Sequence, residues 1–462
     1  MLPTSLAQVA VLTGGTLAAV PDPDSTVTGP VAFDSRRVAP GGLFAALPGE
    51  HTDGHDHAQQ AVLAGALAAL TTRPVAGAPC IVVPDVLAAL ADLARAIAGD
   101  FTGITIGITG SAGKTSTKDL LKHVLATAGP TVATEGSFNN ELGHPVAVLR
   151  TEEDTAFLVL EMGARGKGHI AHLTAIAPPD IACCLPIGRA HLGEFGSRRA
   201  IAQAKQEIVE NLPPTGTAVL CADDPLVLAM AQHTEAAVLT FGTDPGADVR
   251  ATDIKLDDRG RPHFTLTHDG ASEAVQLAVH GEHHVTNALA AAAIALAAGL
   301  DLAAIARVLA TATIDSGGRM QPLDRPDGTT IVNDAFNASP ESVTAALNAL
   351  PALAAGRPLL AVLGEMAELG DDSEALHATT GVAVTRSGIT HLVTIGEGAR
   401  LLGEMAAQGG TTTAHADNRD HAHTLITGFL TDIGTPAVVL IKGAHGLNLE
   451  HLARTLATAP AL

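Results

Sequence analysis

Ile106-Gly107-Ile108-Thr109-Gly110-Ser111-Ala112-Gly113-Lys114-Thr115 is the stretch whose reading decides the fold. Apolar strand formers run into a glycine-rich turn and then into a helical pattern over 117–125. A strand, a glycine turn and a helix let backbone N–H groups wrap phosphate oxygens, helped by the partial positive charge of the helix start. Gly110, Ser111, Ala112, Gly113, Lys114, Thr115 and Ser116 are therefore the expected cradle for a nucleotide phosphate. Lys114 would reach the outer phosphates, and the Thr115 hydroxyl would hold Mg²⁺. The core matches GxxGK[ST], but counting from Gly107 leaves five residues before Gly113 where the Walker pattern has four. A plain β–α turn with a solvated lysine is the bland alternative.

Around this loop, strand-like runs at 104–109, 157–160, 181–185 and 218–221 alternate with helical stretches, which indicates a doubly wound, mostly parallel sheet. Residues 244–279 break the pattern. Short runs at 249–254, 263–268 and 274–279 between Asp/Gly turns suggest an antiparallel flap, followed by an Ala-rich helix at 285–298. Upstream, a helix near 5–12, an apolar helix over 57–70 and a strand at 80–83 make a small α/β unit, joined onward by a helix at 86–98. Downstream of Gly317-Gly318, strands at 329–333, 359–364, 391–395 and 438–442 imply a third, Rossmann-like unit. The expected domains are 1–84, 85–313 and 314–462, all α/β.

Composition narrows the function classes. Lys and Arg number 27 against 48 Asp and Glu, a formal charge of −21, which argues against a general nucleic-acid binder with its basic face. Apolar residues make up 47 % and charged residues 16 %, as in a folded chain, with a core of Ala, Leu, Val and Ile because Trp and Tyr are absent. The four cysteines, Cys80, Cys183, Cys184 and Cys221, show no CxxC spacing and read as buried small hydrophobes. The start has no basic region before its short apolar stretch, and the longest apolar run, 288–300, falls short of the ~20 residues of a membrane span. A soluble cytoplasmic protein without membrane insertion is expected.

Three residues outside the loop carry chemistry. Glu161 closes the apolar strand Phe157-Leu158-Val159-Leu160, where a second Mg²⁺ ligand is needed beside a phosphate loop. His191 follows another strand end in the same sheet. Lys205 shares a helix face with Ile201, Ile208, Val209 and Leu212. It either snorkels past the core edge, or is desolvated to a neutral amine that reacts with CO₂, giving an anionic carbamate.

Together these motifs resemble the ATP-dependent Mur ligases of peptidoglycan synthesis, in the branch that adds D-alanyl-D-alanine to UDP-N-acetylmuramoyl-tripeptide. The glycine loop of that family is typically GxxGKT. Asp34-Ser35-Arg36, Gly41-Gly42-Leu43-Phe44 and Gly49-Glu50…Asp53-Gly54-His55 resemble its UDP-binding domain. Gly136-Ser137-Phe138-Asn139-Asn140, Glu161-Met162-Gly163, Ala190-His191-Leu192 and Ala204-Lys205-Gln206 resemble its central motifs, and His283, Asn287 and Arg319 its nucleotide contacts. Asp334-Ala335-Phe336-Asn337 with Leu363–Gly370 and Lys442-Gly443 resembles the amine-binding domain.

The resemblance implies catalytic roles for Lys114, His191 and Lys205. It implies two Mg²⁺ ions, one held by Thr115 and Glu161, the other by His191 and a carbamate on Lys205. It further implies substrate contacts from Ser35, Arg36, Asn139, Asn140, Asp334, Phe336, Asn337 and Lys442, in an enzyme acting as a monomer. The family usually carries Asn at Pro186, Asn at Ser137, Tyr at Phe336 and Ser-Arg at Ala444-His445. The departures at 336, 444 and 445 surround the amine pocket, so a paralogue joining a different amine or acceptor in secondary metabolism is the alternative.

Overall fold

The structure is a computed structural model that describes residues 1–49, 52–434 and 436–459. Glu50, quoted above in the first unit, lies outside the described residues. Three sheets beyond a short N-terminal pairing organise the chain, with five, nine and six strands.

In the nine-stranded sheet, Ile104–Thr109 lies between Phe157–Glu161 and Ile181–Cys184, parallel to both. The chain goes first to the edge strand Thr131–Ala133, returns through Phe157–Glu161, then crosses to Ile181–Cys184, Thr217–Cys221 and Ala237–Gly242 on the other side. The strand order thus reverses beside the glycine loop, which opens a crevice at the carboxyl ends of these strands. Beyond them, Val249–Leu256, Pro262–His268 and Ala271–Gln276 form the expected antiparallel flap.

The third sheet is parallel over Thr330–Asn333, Val438–Lys442, Leu359–Gly364, His391–Ile395 and Thr412–Ala416, with Gln321–Asp324 antiparallel at one edge. Apolar clusters cover both of its faces. The first and central units instead share one continuous core, because helix Val86–Asp100 buries Leu90, Leu93 and Ile97 in it. Among the described residues no helix is long and apolar enough to cross a membrane.

Three local readings change. The helix expected over 57–70 is only Ala58–Leu63; Gly65 then turns at φ +117°, and Ala68–Thr71 is a fully buried strand. A Cβ on Gly65 would sit 2.9 Å from Pro40 Cα, so the turn requires glycine. An apolar run alone does not separate a buried helix from a buried strand. Thr412–Ala416, built of Thr, Ala and His at a sheet edge, lacks the apolar signature and escapes periodicity. The phosphate-loop helix spans Lys114–Leu125, starting earlier than the apolar pattern does.

Candidate active site

The glycine loop is held by neighbours that leave no room for a side chain. Gly110 (φ +148°) would place a Cβ 2.5 Å from Leu185 Cβ, and Gly113 (φ +85°) one 2.3 Å from Asn287 Oδ1. Both glycines are required by backbone angle and by contact. Ser111 N donates to Pro186 O at 3.2 Å, while the Ser111 hydroxyl is buried without a partner among the described residues. Lys114 Nζ donates to Gly110 O at 2.8 Å, and burial pushes its pKa down.

Thr115 and Glu161 meet as expected. Thr115 Oγ1 donates to Glu161 Oε2 at 2.7 Å, and Asn139 Nδ2 donates to Glu161 Oε1 at 2.7 Å. Strand register explains the meeting: Glu161 pairs beside Ile108, at the same level as the start of the loop. Arg319, from the start of the third unit, donates to Thr115 Oγ1 at 3.0 Å and to Ser137 Oγ at 2.5 Å. Its guanidinium also lies 4.1 Å over the Phe336 ring, which packs 5.3 Å from His445. The departures at 137, 336 and 445 therefore touch one arginine or its stacking partner.

Lys205 is 3 % exposed and makes no side-chain hydrogen bond or ion pair among the described residues. Burial, then the Lys114 charge, pulls its pKa down to about 7, against the pull of Cys184 and Glu161. That shift is on the order of 5 kcal/mol against the charged amine. Burial of the whole residue weighs against snorkelling. His191 sits at φ +62°, its Nδ1 in contact with Glu368 Oε2 of the third unit. Desolvation lowers its pKa, with the Glu368 charge opposing and the charges of Lys114 and Lys205 adding to the fall.

No group of three His, Cys, Asp or Glu side chains is placed to hold a metal among the described residues. Glu161 and His191 supply two such donors and the Thr115 hydroxyl an oxygen. An unmodified Lys205 supplies none, since an ammonium repels a cation and offers no lone pair. Thr115 and Glu161 meet as oxygen donors of the kind Mg²⁺ takes, and His191 would join a second such site if Lys205 carried an acid group.

His283 and Asn287, expected to contact the nucleotide, lie at the start of helix His284–Ala297. Asn287 packs on Gly113 and accepts from Thr117 Oγ1 at 3.4 Å. His283 stacks 4.2 Å from His284, its buried Nδ1 has no partner among the described residues, and burial lowers its pKa to about 4. A neutral imidazole with an unused nitrogen suits a base edge.

Other expected contacts are used internally. Lys442, 3 % exposed, donates to Asp334 Oδ2 at 2.7 Å, Asn337 O at 3.0 Å and Asp334 O at 3.4 Å, so its three N–H groups organise the 334–337 turn. Asn140 Oδ1 accepts from Gly143 N at 3.0 Å and holds the turn after the 136–140 motif. Arg36 folds back on Asp34 at 2.7 Å and is 83 % exposed, with Ser35 beside Gln60.

Sequence reasoning missed the contacts between the phosphate-loop helix and the segment that opens the third unit. Asp119, buried against Lys118, accepts from Ser316 N at 2.9 Å, and Lys122 and His123 grip Asp315 at 3.3 and 2.9 Å. Polar residues on a buried helix face are their only trace in the sequence.

Comparison with known proteins agrees with this geometry. Residues 30–97 match the Mur ligase family catalytic domain, 108–295 the Mur ligase middle domain, and 318–445 the Mur ligase glutamate ligase domain. A UDP-N-acetylmuramoyl-tripeptide–D-alanyl-D-alanine ligase of Mycobacterium tuberculosis is 45 % identical, over 99 % of this chain and 98 % of its own. The enzyme of that name from Bacillus subtilis is 34 % identical over the full length of both. The crystal structure of MurF from Acinetobacter baumannii superposes with a TM-score of 0.87 at 31 % identity, covering 99 % of each chain. With all three units in order and full-length relatives well above 30 % identity, the chain belongs to the Mur ligase family.

Proposed function

We propose that this chain is an ATP-dependent amide ligase that joins D-alanyl-D-alanine to UDP-N-acetylmuramoyl-tripeptide in the cytoplasmic synthesis of peptidoglycan precursors. The observation that carries it is the convergence of Lys114, Thr115, Glu161 and Arg319 at one strand-end crevice, in a chain alike along its whole length to ligases so named. A MurF ligase from Thermotoga maritima, 28 % identical with a TM-score of 0.78 over 93 % of this chain and 97 % of its own, was solved in complex with ADP. That supports ATP as the nucleotide here.

In the proposed reaction the tripeptide carboxylate attacks the γ-phosphorus of ATP, the bond to the bridging oxygen breaks, and ADP leaves. The amine of D-alanyl-D-alanine then attacks the acyl phosphate carbon, phosphate leaves, and the amine gives up a proton. Lys114 and the free N–H groups of the helix start hold the phosphoryl oxygens as charge shifts among them. Arg319 bridges from the third unit to Thr115, so the amine-binding unit and the phosphate loop are registered to each other. Thr115 with Glu161, and His191 with a carbamate on Lys205, would hold two Mg²⁺ ions, which when bound neutralise phosphate charge. His283 and Asn287 would meet the adenine end. The protein is read as a monomer without a nucleic-acid partner, consistent with its charge of −21.

Ser35 and Arg36 are assigned to the UDP moiety, with Asn139, Phe336 and Asn337 nearer the reacting ends. Arg36→Ala is expected to raise KM for the UDP substrate about 10-fold, the scale of one charge-assisted hydrogen bond, and to leave KM for ATP unchanged. Steady-state kinetics with each substrate varied in turn checks this; equal changes in both would remove Arg36 from the UDP site.

The amine is the sharper question, because Phe336 and His445 form a stack under Arg319. Phosphate release with a panel of amines is expected to favour D-alanyl-D-alanine. Preference for another amine, shifted back by Phe336→Tyr with Ala444→Ser and His445→Arg, would support the secondary-metabolism paralogue instead.

A further inference from the structure

We propose that Glu368 is a positioning residue for His191, orienting the imidazole from across the domain interface as the carboxylate partner of a metal-binding histidine. The inference rests on the reading of His191 as a cation ligand.

The approach of the two residues is built by both domains. On the third-unit side, the segment after strand Leu359–Gly364 is fixed at several points. Glu365 Oε2 accepts from Gly398 N at 3.0 Å, Glu365 O accepts from Ala444 N at 3.0 Å, and Met366 N donates to His377 Nε2 at 2.9 Å. His377 is 1 % exposed, and its Nδ1 meets Ser373 O at 2.8 Å, so that ring is locked. From this anchored stretch Glu368 departs at φ +62°, an angle that non-glycine residues rarely adopt.

The central side mirrors it. His191 has φ +62° as well. Gly193 N donates to Glu368 O at 2.8 Å, and a Cβ on Gly193 would sit 2.7 Å from Gly370 N, so the two backbones touch. Arg189 N donates to Glu341 Oε1 at 3.0 Å, a second third-unit acid gripping the same segment. Two residues in a disfavoured conformation, brought face to face by a tight backbone contact, place Glu368 Oε2 against His191 Nδ1.

A carboxylate on one ring nitrogen fixes the orientation of a histidine ligand and leaves the other nitrogen for the cation. Nδ1 lies against the Glu368 carboxylate without a well-formed hydrogen bond, and Nε2 is the nitrogen this contact leaves to coordinate. Glu194, on the short helix that follows His191, comes only to 4.0 Å of Nδ1, so the closer carboxylate belongs to the other domain. The central unit therefore lacks, within itself, a carboxylate in contact with that nitrogen. Docking of the amine-binding unit would complete the support of the second cation site.

The test is Mn²⁺ binding to the full chain saturated with a non-hydrolysable ATP analogue, read from the free-ion electron paramagnetic resonance signal. Wild type is expected to bind two ions. Glu368→Ala is expected to weaken one of them about 10- to 100-fold and leave the other unchanged. Glu368→Gln, which keeps an oxygen acceptor without the charge, should fall between, and it carries the test if the alanine variant does not fold. Unchanged affinities in the glutamine and alanine variants, with only KM for the amine raised, would overturn the proposal and make Glu368 an amine contact. His191→Ala separates the two levels: if it weakens one ion while Glu368→Ala does not, only the positioning role fails. If His191→Ala leaves both ions in place, the reading of His191 as a ligand fails, and this proposal with it.

Discussion

Lys114→Ala is expected to lower turnover by at least about 10³-fold in a chain that still folds, the scale of removing a preorganised charge from a transferring phosphoryl group. The lysine's only side-chain hydrogen bond among the described residues is to Gly110 O within its own loop. The helix it opens is held by the buried residues Leu120, Leu121, Val124 and Leu125, which the substitution does not touch. Burial lowers the Lys114 pKa, so the neutral alanine removes a desolvation cost from the empty site. Thermal stability should therefore be equal or slightly higher. Phosphate release and a melting curve on the same preparation check both halves; near-normal release by the folded variant would remove Lys114 from the chemistry.

Lys205→Ala carries the second large effect, a loss of about 10³-fold, from removing an anionic support for transition-state charge. Here the reasoning is electrostatic. A lysine without a partner among the described residues, lowered to about 7 by burial and by the Lys114 charge, gives up its proton more readily, and the neutral amine is the form that attacks CO₂. Forming the carbamate releases a proton, so modification should increase as pH rises through about 7 and be lost below it.

The sign for stability follows. An unmodified lysine that is lowered in the folded state binds fewer protons there than when unfolded. Stability then rises with pH between the folded value and the ordinary lysine range. Added bicarbonate should restore activity to enzyme stripped of CO₂ at fixed pH. Acetate should partly rescue Lys205→Ala by placing a carboxylate in the gap. Full activity of the alanine variant without added acid would refute the carbamate, as would intact-mass data showing only the plain amine in active enzyme held in bicarbonate.

The residues that local sequence makes legible are those whose neighbours in sequence are also their neighbours in space. Gly110 and Gly113 announce the loop because a turn that tight admits nothing else, and Glu161 announces itself by ending an apolar strand beside it. Lys205 is legible as an anomaly, a cation on an apolar helix face, but periodicity alone leaves snorkelling open. The observed burial, with no hydrogen-bond or ion-pair partner among the described residues, weighs against that option. Arg319 and Glu368 reach their targets from another domain, so nothing near them in sequence reports Thr115 or His191. Lys442 shows the converse. Its motif suggests a substrate contact, whereas its three hydrogen bonds stay within its own domain. The misread helix over 57–70 failed for a simpler reason, since apolar Ala68–Thr71 is buried on both faces and has no alternation to betray a strand.

The central claim is that a tripeptide carboxylate is activated by phosphorylation before the amine attacks it. The direct measurement is turnover with UDP-N-acetylmuramoyl-tripeptide carrying heavy oxygen in the accepting carboxylate, in the presence of ATP and D-alanyl-D-alanine, followed by mass analysis of the released phosphate. One labelled oxygen should appear in each phosphate, because the acyl C–O bond breaks when the amine attacks. Label absent from the phosphate, or found in AMP, would contradict the account.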